Sequence, residues 1–356
     1  MSTALYCRQE INGGTKDWFI QGGNSLDILV TGGTGFIGKN LVKRLLSYGH
    51  HVSVLIRETS DTSVLPDAVN LELGNLLDKS SLTDIVEGKE VVFHLAAYFD
   101  FYPSDKDLMY RVNVDGTRML AEASADASVS KFIYCSSTEA IGPVDDPPAD
   151  EETEPQPAFD YGKSKVLAEE AVREVSSERD LIHTIVRPTG VMGEGDLYTA
   201  YETIKALNRK EVPVLPGDGE KHIMYTHVDD VTRGFEATMV PAANDETIII
   251  CPDNPMKYND LVEYICDLLG VEPPKRHVPT TLAKLGIALM SPFKNWKENT
   301  FLWHPQTIQS MDEERWYSNE KAKRLLDWEP RISMKEGLKR AIDWYYENGY
   351  LERRQQ

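Results

Sequence analysis

The clearest hydrophobic pattern in the chain lies within residues 27–46, DILVTGGTGFIGKNLVKRLL. Three consecutive apolar residues, Ile28 to Val30, are typical of a strand that is buried on both faces of a parallel sheet. Three glycines follow at a spacing of three, and apolar residues then recur at helical spacing from Phe36 to Leu45. The pattern therefore predicts a strand, a tight turn and a helix, in this order.

The alternation of strands and helices continues to about residue 188. Apolar runs predict further strands over 51–57, 91–97, 131–137 and 182–188, and helical spacing predicts helices over 111–124 and 161–176. Strands that alternate with helices in this way form right-handed crossovers in a parallel sheet. We therefore predict an α/β fold with a doubly wound parallel sheet.

The pattern also divides the chain into three parts. Residues 1–25 are glycine-rich and polar, and we interpret them as an N-terminal extension of uncertain order. Residues 26–188 hold the alternating strands and helices. Residues 189–356 are irregular and rich in proline and aromatic residues, which indicates a second, smaller lobe.

Length, charge and cysteine content narrow the class of protein. A chain of 356 residues can bury a large core, and its net charge of −19 argues against nucleic acid or an anionic membrane as a partner. The four cysteines lack metal-type spacing and are typical of reduced thiols in the cytoplasm. Their spacing also predicts no metal site. The sequence shows neither a signal-peptide pattern nor an apolar stretch of bilayer length, so we predict no integral membrane segment.

The spaced glycines point to a phosphate. In a dinucleotide site, one glycine makes the tight turn, a second lets the backbone approach the pyrophosphate, and a third lets the helix pack closely on the strand. The N-terminus of the helix attracts an anion through its free N–H groups and its dipole. The alternative is a glycine-rich turn that binds nothing, which the strand–turn–helix context disfavours.

A second signal is the motif YGKSK, which places Tyr161 and Lys165 on one face of the predicted helix. A nearby ammonium favours the phenolate and should lower the pKa of the tyrosine, so that it can exchange a proton with a hydroxyl or a carbonyl. Upstream, Ser136 and Ser137 end a predicted strand, where open α/β sheets bind their ligands. These serines could also form an ordinary turn or helix cap.

Taken in order, these motifs resemble the extended short-chain dehydrogenase/reductases. The resemblance rests on TGGTGFIG, VVFHLAA, NVDGT, SSTEAIGP, YGKSK, RPTGVMGEGD, HVDDVTRG and the segment 317–345, and it covers nearly the whole chain from Leu26 onward. It implies a Rossmann-type NAD(P)-binding domain over 26–188 and a substrate-binding lobe over 189–356, from which about 225–240 returns to the Rossmann domain.

The resemblance also implies the catalytic residues. Tyr161 would be the acid/base, Lys165 would hold the nicotinamide ribose and tune Tyr161, and Ser137 would hydrogen-bond the reacting oxygen. Ser137 is preferred to Ser136 because it lies five positions before Gly142, as in the family pattern. The implied cofactor-binding residues are Gly32, Thr34, Gly35, Phe36, Ile37, Gly38, Arg57, Asn75, Leu76, Leu95, Ala96, Ala97, Tyr161, Lys165 and Pro188.

Departures from the family pattern reduce the number of reactions that the chain is expected to catalyse. Sugar-nucleotide dehydratases carry Asp-Glu after the hydroxyl residue, whereas Thr138 and Glu139 stand here. Epimerases carry an arginine before the HVDD-type motif, whereas Ile223 and Met224 stand near that place. The motif SSTEAIGP and the tail after residue 280 resemble the 3β-hydroxysteroid dehydrogenase and dihydroflavonol-reductase-like branch. The residues expected to line an apolar substrate pocket are Tyr98, Phe99, Thr138, Met192 and Met224.

The residue after the second strand bears on the choice of cofactor. Arg57 stands where a basic residue would accommodate a 2′-phosphate, so the sequence favours NADP. The neighbouring Glu58 keeps NAD open as the alternative, because a carboxylate there would hold the ribose 2′-hydroxyl. Arg57 could also be a surface charge paired with Glu58.

We therefore predict an NAD(P)-dependent oxidoreductase that interconverts a secondary alcohol and a ketone on an apolar or polycyclic small molecule. One alternative is a nucleotide-sugar epimerase that uses bound NAD. Another is a non-catalytic protein that senses the cofactor, which the complete Ser–Tyr–Lys set disfavours. The sequence leaves open whether the chain is a monomer or a homodimer.

Overall fold

The computed structural model of the protein describes residues 5–11, 15–21, 25–290, 302 and 304–353. Its strands, in chain order, are β1 (Leu5–Ile11), β2 (Thr15–Gln21), β3 (Asp27–Thr31), β4 (His51–Ile56), β5 (Asn70–Leu73), β6 (Val91–His94), β7 (Lys131–Cys135), β8 (His183–Pro188), β9 (Gly190–Met192), β10 (Leu215–Pro216), β11 (His222–Ile223), β12 (Tyr225–His227), β13 (Glu246–Ile250), β14 (Met256–Lys257) and β15 (His277–Val278).

The helices alternate with these strands. They are α1 (Phe36–Ser47), α2 (Lys79–Val86), α3 (Lys106–Tyr110), α4 (Gly116–Asp126), α5 (Asp160–Arg179), α6 (Thr199–Asn208), α7 (Val228–Ala237), α8 (Tyr258–Leu269), α9 (Thr280–Met290), α10 (Pro305–Ser310), α11 (Glu320–Leu326) and α12 (Met334–Glu347). The helix predicted over 111–124 begins with a π-helical turn, Arg111–Asp115, which continues into α4.

Seven of the described strands form one sheet in the order β13-β8-β7-β6-β3-β4-β5, and every neighbouring pair in it is parallel. The strand order reverses between β3 and β6, which is the switch point at which doubly wound sheets bind ligands. The predicted doubly wound parallel sheet is therefore confirmed.

Apolar clusters cover both faces of the sheet. On one face, α1 and α7 pack against residues such as Ile28 and Val30, and on the other face, α2, α4 and α5 pack against residues such as Leu29 and Phe132. Alternate residues of β3 thus enter opposite layers, as the two-residue repeat of a strand requires. This two-sided burial explains why β3 is a continuous apolar run.

The C-terminal half of the chain contributes more to the sheet domain than the sequence suggested. Besides α7, which lies in the predicted returning segment 225–240, β13 pairs with β8 in the sheet, and Ala322 and Leu326 of α11 pack into the cluster that α1 covers. The chain therefore leaves the sheet domain near the expected boundary at residue 189, and later segments return to complete the sheet.

The remaining segments build a second lobe beside the carboxyl ends of the strands. Its core is formed by α6, α8 and α12, with side chains such as Ile204, Ile265 and Leu338. Of its short strand pairs, β9 with β12 joins the lobe to the sheet domain, because β9 follows β8 and β12 precedes α7, and β11 pairs with β14 and β10 with β15. The lobe therefore stands over the ligand-binding edge of the sheet.

Two further features concern the ends of the chain. In the N-terminal extension, β1 and β2 pair antiparallel in register from Leu5 with Gln21 to Ile11 with Thr15. The tail after residue 280, one basis of the resemblance, includes residues 291–301 and 303, which lie outside the described part of the chain. Among the described residues, no helix combines the length and the apolarity needed to cross a bilayer.

Candidate functional site

A cavity of about 880 Å³ extends from the glycine-rich turn after β3 to the second lobe. It opens at the carboxyl ends of β3, β6 and β7, where parallel α/β sheets bind ligands. All the predicted catalytic and cofactor-binding residues line it, as do Tyr98, Phe99, Thr138 and Met224 from the predicted substrate pocket. The structure thus brings together residues that lie far apart in the chain.

The glycine-rich turn has the shape that an approaching phosphate requires. Gly32 has a φ of +70°, and a Cβ there would lie 2.6 Å from the backbone nitrogen of Ala96. A Cβ at Gly38 would lie 2.1 Å from the oxygen of Gly32, so only glycine lets α1 pack this closely on the turn. Gly35 precedes α1 and supplies no side-chain cap, which leaves the first N–H groups of the helix available to an anion.

The segment after β6 is fixed to this turn by a buried chain of hydrogen bonds. The hydroxyl of Thr31 lies 2.7 Å from Nδ1 of His94, and Nε2 of His94 lies 2.8 Å from the hydroxyl of Thr117. Burial and the nearby Lys165 lower the pKa of His94 to about 3, so the imidazole is neutral. Thr31 also accepts the N–H of Ala96 at 3.2 Å, which orients the segment along the cavity wall.

Asn113 connects the same segment to α5. Its Oδ1 accepts the N–H of Tyr98 at 2.7 Å, and its Nδ2 donates to the hydroxyl of Ser164 at 2.9 Å. Ser164 in turn donates to the backbone oxygen of Tyr161 at 2.7 Å. Asn113 therefore holds the wall at Tyr98 in register with the helix that carries Tyr161.

Tyr161 and Lys165 lie on the inner face of α5 and are both buried. The Nζ of Lys165 donates to the backbone oxygen of Cys135 at 2.7 Å and lies 5.6 Å from the centre of the Tyr161 ring. Burial, with Cys135 and Glu139 nearby, raises the pKa of Tyr161 well above its ordinary value. The net shift is therefore upward in the protein alone, whereas the sequence predicted a lowered pKa, and Tyr161 is a protonated phenol.

The two serines that end β7 have different environments. The hydroxyl of Ser136 donates to Glu169 at 2.6 Å, and Glu169 is held by two hydrogen bonds from the buried Arg187. Ser137 is partly exposed and lines the cavity. Among the described residues, its Oγ accepts only the N–H of Glu139, at 3.1 Å, so that its own proton is available to a ligand. This contrast agrees with the choice of Ser137 over Ser136 as the residue that meets the substrate.

Aromatic rings form the wall beside Tyr161. The ring of Phe99 meets that of Tyr161 edge to face at 5.0 Å, and the ring of Phe101 lies 5.9 Å from it. Tyr198, from the second lobe, packs edge to face on Phe99 at 5.7 Å. Phe99 and Tyr198 remain substantially exposed, so the wall offers apolar surface to a ligand.

Met192 is the exception among the predicted pocket residues. It does not line the cavity, because its side chain is fully buried in the core of the second lobe, where its Cε lies near Gly337 of α12. Val191, its neighbour in β9, lines the cavity instead. Side chains alternate along a strand, and the prediction chose the wrong face.

The far end of the cavity surrounds Arg57 and Asn75. Arg57 is exposed at the rim, and the structure shows no ion pair between it and Glu58 within the described chain. Asn75 accepts the N–H of Leu77 through Oδ1 at 3.0 Å. An amide oxygen has two lone pairs, so Asn75 can still accept one further hydrogen bond from a ligand.

Sequence reasoning missed a polar group of cavity residues. Arg315 donates from Nη1 to Oε1 of Glu139 at 2.7 Å, and Glu313 stands beside them. Asp196 is 1% exposed, and burial raises its pKa to about 7. Buried charged residues at a cavity wall are the signal that identifies such groups, and burial is not readable from the sequence alone.

Two comparisons with protein sequences agree on the family. A profile of the NAD dependent epimerase/dehydratase family matches residues 28–251. The sterol-4-alpha-carboxylate 3-dehydrogenase, decarboxylating, of Mus musculus is 28% identical over 334 residues, which cover 89% of this chain and 90% of the relative. The 3 beta-hydroxysteroid dehydrogenase/Delta 5-->4-isomerase of Mycobacterium tuberculosis is 26% identical, with 89% and 90% covered.

Solved structures show the same architecture. The crystal structure of UDP-glucose 4-epimerase with UDP-glucose from Thermotoga maritima superposes with a TM-score of 0.75 at 26% identity. The superposition covers 91% of this chain and 99% of the epimerase. The likeness extends through both the sheet domain and the second lobe.

Proposed function

The chain belongs to the NAD dependent epimerase/dehydratase family, and on that premise we propose that it is an NAD(P)-dependent oxidoreductase that interconverts a secondary alcohol and a ketone on an apolar or polycyclic small molecule. One observation carries the proposal: a single cavity joins the glycine-rich turn at Gly32 to the buried pair Tyr161 and Lys165 and to an aromatic wall. Family membership confirms the resemblance that the motifs indicated.

In this proposal the dinucleotide lies along the edge of the sheet. The turn from Gly32 to Gly38 and the uncapped N-terminus of α1 hold its pyrophosphate. Leu76 and Asn75, which line the cavity, would hold the adenine, whereas Leu95 to Ala97 and Pro188 would enclose the nicotinamide. Lys165 would hold the nicotinamide ribose.

A bound nicotinamide ring supplies or accepts the hydride, and the protein moves the proton. For a ketone, Tyr161 donates its phenolic proton to the carbonyl oxygen, and for an alcohol it accepts the hydroxyl proton. A phenol whose pKa is raised by burial is protonated at neutral pH, which suits the direction of ketone reduction. Ser137 donates a hydrogen bond to the same oxygen, and Lys165 stabilises the phenolate that remains.

The walls of the cavity support an apolar substrate. Phe99 and Phe101 lie beside Tyr161, and Tyr198 packs on Phe99, so that a ring system of the ligand can pack against these aromatic side chains. Met224 is buried and accepts the backbone N–H of Tyr317 through its sulfur, so the position at which epimerases carry a phosphate-binding arginine is apolar here. The names of the relatives, which are dehydrogenases of sterols and steroids, agree with this substrate class.

We assign the cofactor as NADP on the basis of Arg57. Its guanidinium stands at the rim of the cavity, at the end of β4, where a 2′-phosphate would lie. A guanidinium matches a phosphate bidentately, whereas Glu58 would oppose it. NAD remains the alternative cofactor, with Glu58 as the partner of the ribose.

The second candidate function is a nucleotide-sugar epimerase, which the likeness to UDP-glucose 4-epimerase favours. An assay of the purified protein separates the two functions. We expect NADPH to be oxidised in the presence of bicyclic or tetracyclic ketones, and no interconversion of UDP- or dTDP-sugars. Interconversion of UDP-sugars without added cofactor, together with inert ketones, would replace the proposed function by the epimerase.

A further inference from the structure

Three charged residues meet at the end of the cavity that lies beyond Ser137, and we call them the polar corner: Glu139, Glu313 and Arg315. Glu139 lies in the short turn Thr138–Ala140, two residues after Ser137. Arg315 comes from the segment after α10, and its Nη1 donates to Oε1 of Glu139 at 2.7 Å. Its Nη2 lies 3.6 Å from Oε2 of Glu313, and all three residues line the cavity.

Each residue of the polar corner retains one unused polar atom. Oε2 of Glu139, Oε2 of Glu313 and Nη2 of Arg315 are buried and have no hydrogen-bond partner among the described residues. Arg315 itself is only 8% exposed. Nη2 of Arg315 and Oε2 of Glu313 attract each other as an ion pair at 3.6 Å, which is too long for a hydrogen bond. Buried polar atoms are nearly always hydrogen-bonded, so three atoms without a hydrogen bond in one wall indicate that a ligand completes them.

The neighbouring polar groups have hydrogen-bond partners of their own. The hydroxyl of Tyr317 donates to the backbone oxygen of Gly142 at 2.8 Å, and the hydroxyl of Tyr102 is hydrogen-bonded to Thr307 at 2.5 Å. His222 is paired with a different carboxylate, that of Glu314, at 2.9 Å. The hydroxyl of Tyr317 also lies beside the guanidinium of Arg315. The polar atoms of the corner that remain without a hydrogen bond can be completed by an occupant of the cavity.

Two aromatic rings, those of Phe101 and Phe159, lie between Tyr161 and the polar corner. The ring of Phe101 lies 5.9 Å from that of Tyr161, and the ring of Phe159 lies 4.8 Å from that of Phe101. The guanidinium of Arg315 lies 6.0 Å from the ring of Phe159. A ligand whose carbonyl meets Tyr161 can thus lay an apolar body along these rings and reach the polar corner with its other end.

The unused atoms of the polar corner determine which chemical group of the ligand can bind there. A hydroxyl can donate to a carboxylate of Glu139 or Glu313 and accept from Nη2 of Arg315. A carboxylate or phosphate would face two carboxylates against one guanidinium, and an ammonium could donate to the carboxylates but has no lone pair with which to accept from Nη2 of Arg315. We propose that the polar corner binds a hydroxyl group of the substrate, remote from the carbon that is oxidised or reduced.

This inference rests on the proposed function, and matched ketones test it. The probes are a decalone and 5α-androstan-3-one, each compared with a derivative that carries one hydroxyl on the ring farthest from the carbonyl. A hydrogen bond to a charged group corresponds to roughly a 10–100-fold effect on a rate or binding constant. In at least one pair, we expect the kcat/KM of the wild-type protein to be roughly 10–100-fold higher for the hydroxylated ketone than for the parent ketone.

Variants of the polar corner identify the residues responsible. Glu139→Gln keeps the shape of the side chain, and Arg315→Lys keeps the charge but removes the second terminal nitrogen, Nη2. Either should reduce the hydroxyl preference to roughly 3-fold or less. Glu236→Gln is the matched control, because it alters a buried carboxylate that is paired with Arg44 away from the cavity, and it should keep the full preference.

Several results would overturn the inference. Equal kcat/KM within both ketone pairs in the wild-type protein would remove the hydroxyl subsite and leave the proposed function intact. A preference that survives both Glu139→Gln and Arg315→Lys would place the subsite elsewhere. A preference for a derivative with a carboxylate in place of the hydroxyl would show that the corner selects anions. If neither ketone of either pair is reduced, the proposed function fails, and the inference fails with it.

If Arg315→Lys does not fold, the wild-type comparison and Glu139→Gln still test whether the polar corner binds the hydroxyl. Thermal unfolding curves of each variant, recorded before the assay, separate loss of structure from loss of preference. Replacing the buried arginine is the more severe change, since it leaves Glu139 without its charged partner.

Discussion

The ammonium nitrogen of Lys165 lies 5.6 Å from the centre of the Tyr161 ring, one turn along the same buried face of α5. It donates to the backbone oxygen of Cys135, which fixes the side chain against the end of β7. Burial lowers the pKa of Lys165, whereas burial raises the pKa of Tyr161. The pair thus places one cation beside one phenol in a site largely shielded from water.

Loss of Lys165 should affect both cofactor binding and turnover. Lys165→Met removes the donor to the ribose and the charge that stabilises the Tyr161 phenolate. We expect weaker NADPH binding and a fall in kcat of at least roughly 10²-fold, measured by fluorescence titration and by NADPH oxidation. Lys163→Met, at an exposed position of the same helix, is the control and should behave like the wild type. Normal cofactor affinity in Lys165→Met would contradict the assigned role.

The two serines after β7 should respond in opposite ways. Ser136→Ala removes a buried hydrogen bond to Glu169 and should cost about 1–3 kcal/mol of unfolding free energy. Ser137→Ala should leave this free energy nearly unchanged but reduce kcat roughly 10–10³-fold, because a donor to the reacting oxygen is lost. Urea unfolding and steady-state kinetics measure the two effects. The reverse pattern would reassign the catalytic hydroxyl to Ser136.

Arg57 should determine the choice between the two cofactors. The wild-type protein should bind NADPH more tightly than NADH, and Arg57→Ala should weaken NADPH binding by roughly 1.5–3 kcal/mol with little change for NADH. Because Arg57 is exposed, the preference should shrink as salt is added. Lys43→Ala, an exposed cation on α1, serves as the control. Identical titration curves of the wild type with NADPH and NADH would remove this role and make Glu58 the candidate partner of an NAD ribose.

Asp196 should make the stability of the protein depend on pH. Burial raises its pKa from 3.8 to about 7, and Lys39 and the N–H of Tyr198 only partly offset this. The folded protein therefore holds this proton between about pH 4 and pH 7 while the unfolded chain releases it, so the contribution of Asp196 to stability falls as the pH rises through this range.

The variant Asp196→Asn removes that titration. Relative to the wild type, we expect its unfolding free energy to rise by roughly 2–4 kcal/mol between pH 4 and pH 8, with no further gain at higher pH. Asp84→Asn, at an exposed position of α2, should show no such trend. Denaturant unfolding across the pH range measures the difference. A constant difference between Asp196→Asn and the wild type would show that folding does not raise the pKa of Asp196.

The cofactor side of the site could be predicted from the sequence because its signals are local. The glycines from Gly32 to Gly38 must lie together, since they occupy a single turn and the start of one helix. Ser137 and Leu95 follow neighbouring parallel strands, and the carboxyl ends of such strands meet at one edge of the sheet. The fold class follows from the same alternation of strands and helices.

The substrate side could be predicted only in part, because it depends on contacts between distant segments. Arg315 and Glu139 are 176 residues apart, and neither lies in a periodic pattern that would indicate their pairing. Met192 was assigned to the pocket from its place in a motif, whereas the alternation along β9 directs it into the core. The strand β5 was missed because Leu71 and Leu73 are exposed at the sheet edge, where the apolar pattern is weak.

The central claim is that Tyr161 transfers the proton during NAD(P)-dependent reduction of a ketone, and Tyr161→Phe tests it most directly. The measurement is the rate at which bound NADPH is oxidised in a single turnover after mixing with a ketone that the wild-type protein reduces. Tyr264→Phe, on α8, is the control, since Tyr264 does not line the cavity. We expect Tyr161→Phe to bind NADPH normally and to react roughly 10²–10⁴-fold more slowly, while Tyr264→Phe reacts like the wild type. A rate in Tyr161→Phe within a few-fold of the wild type would contradict the proposed mechanism.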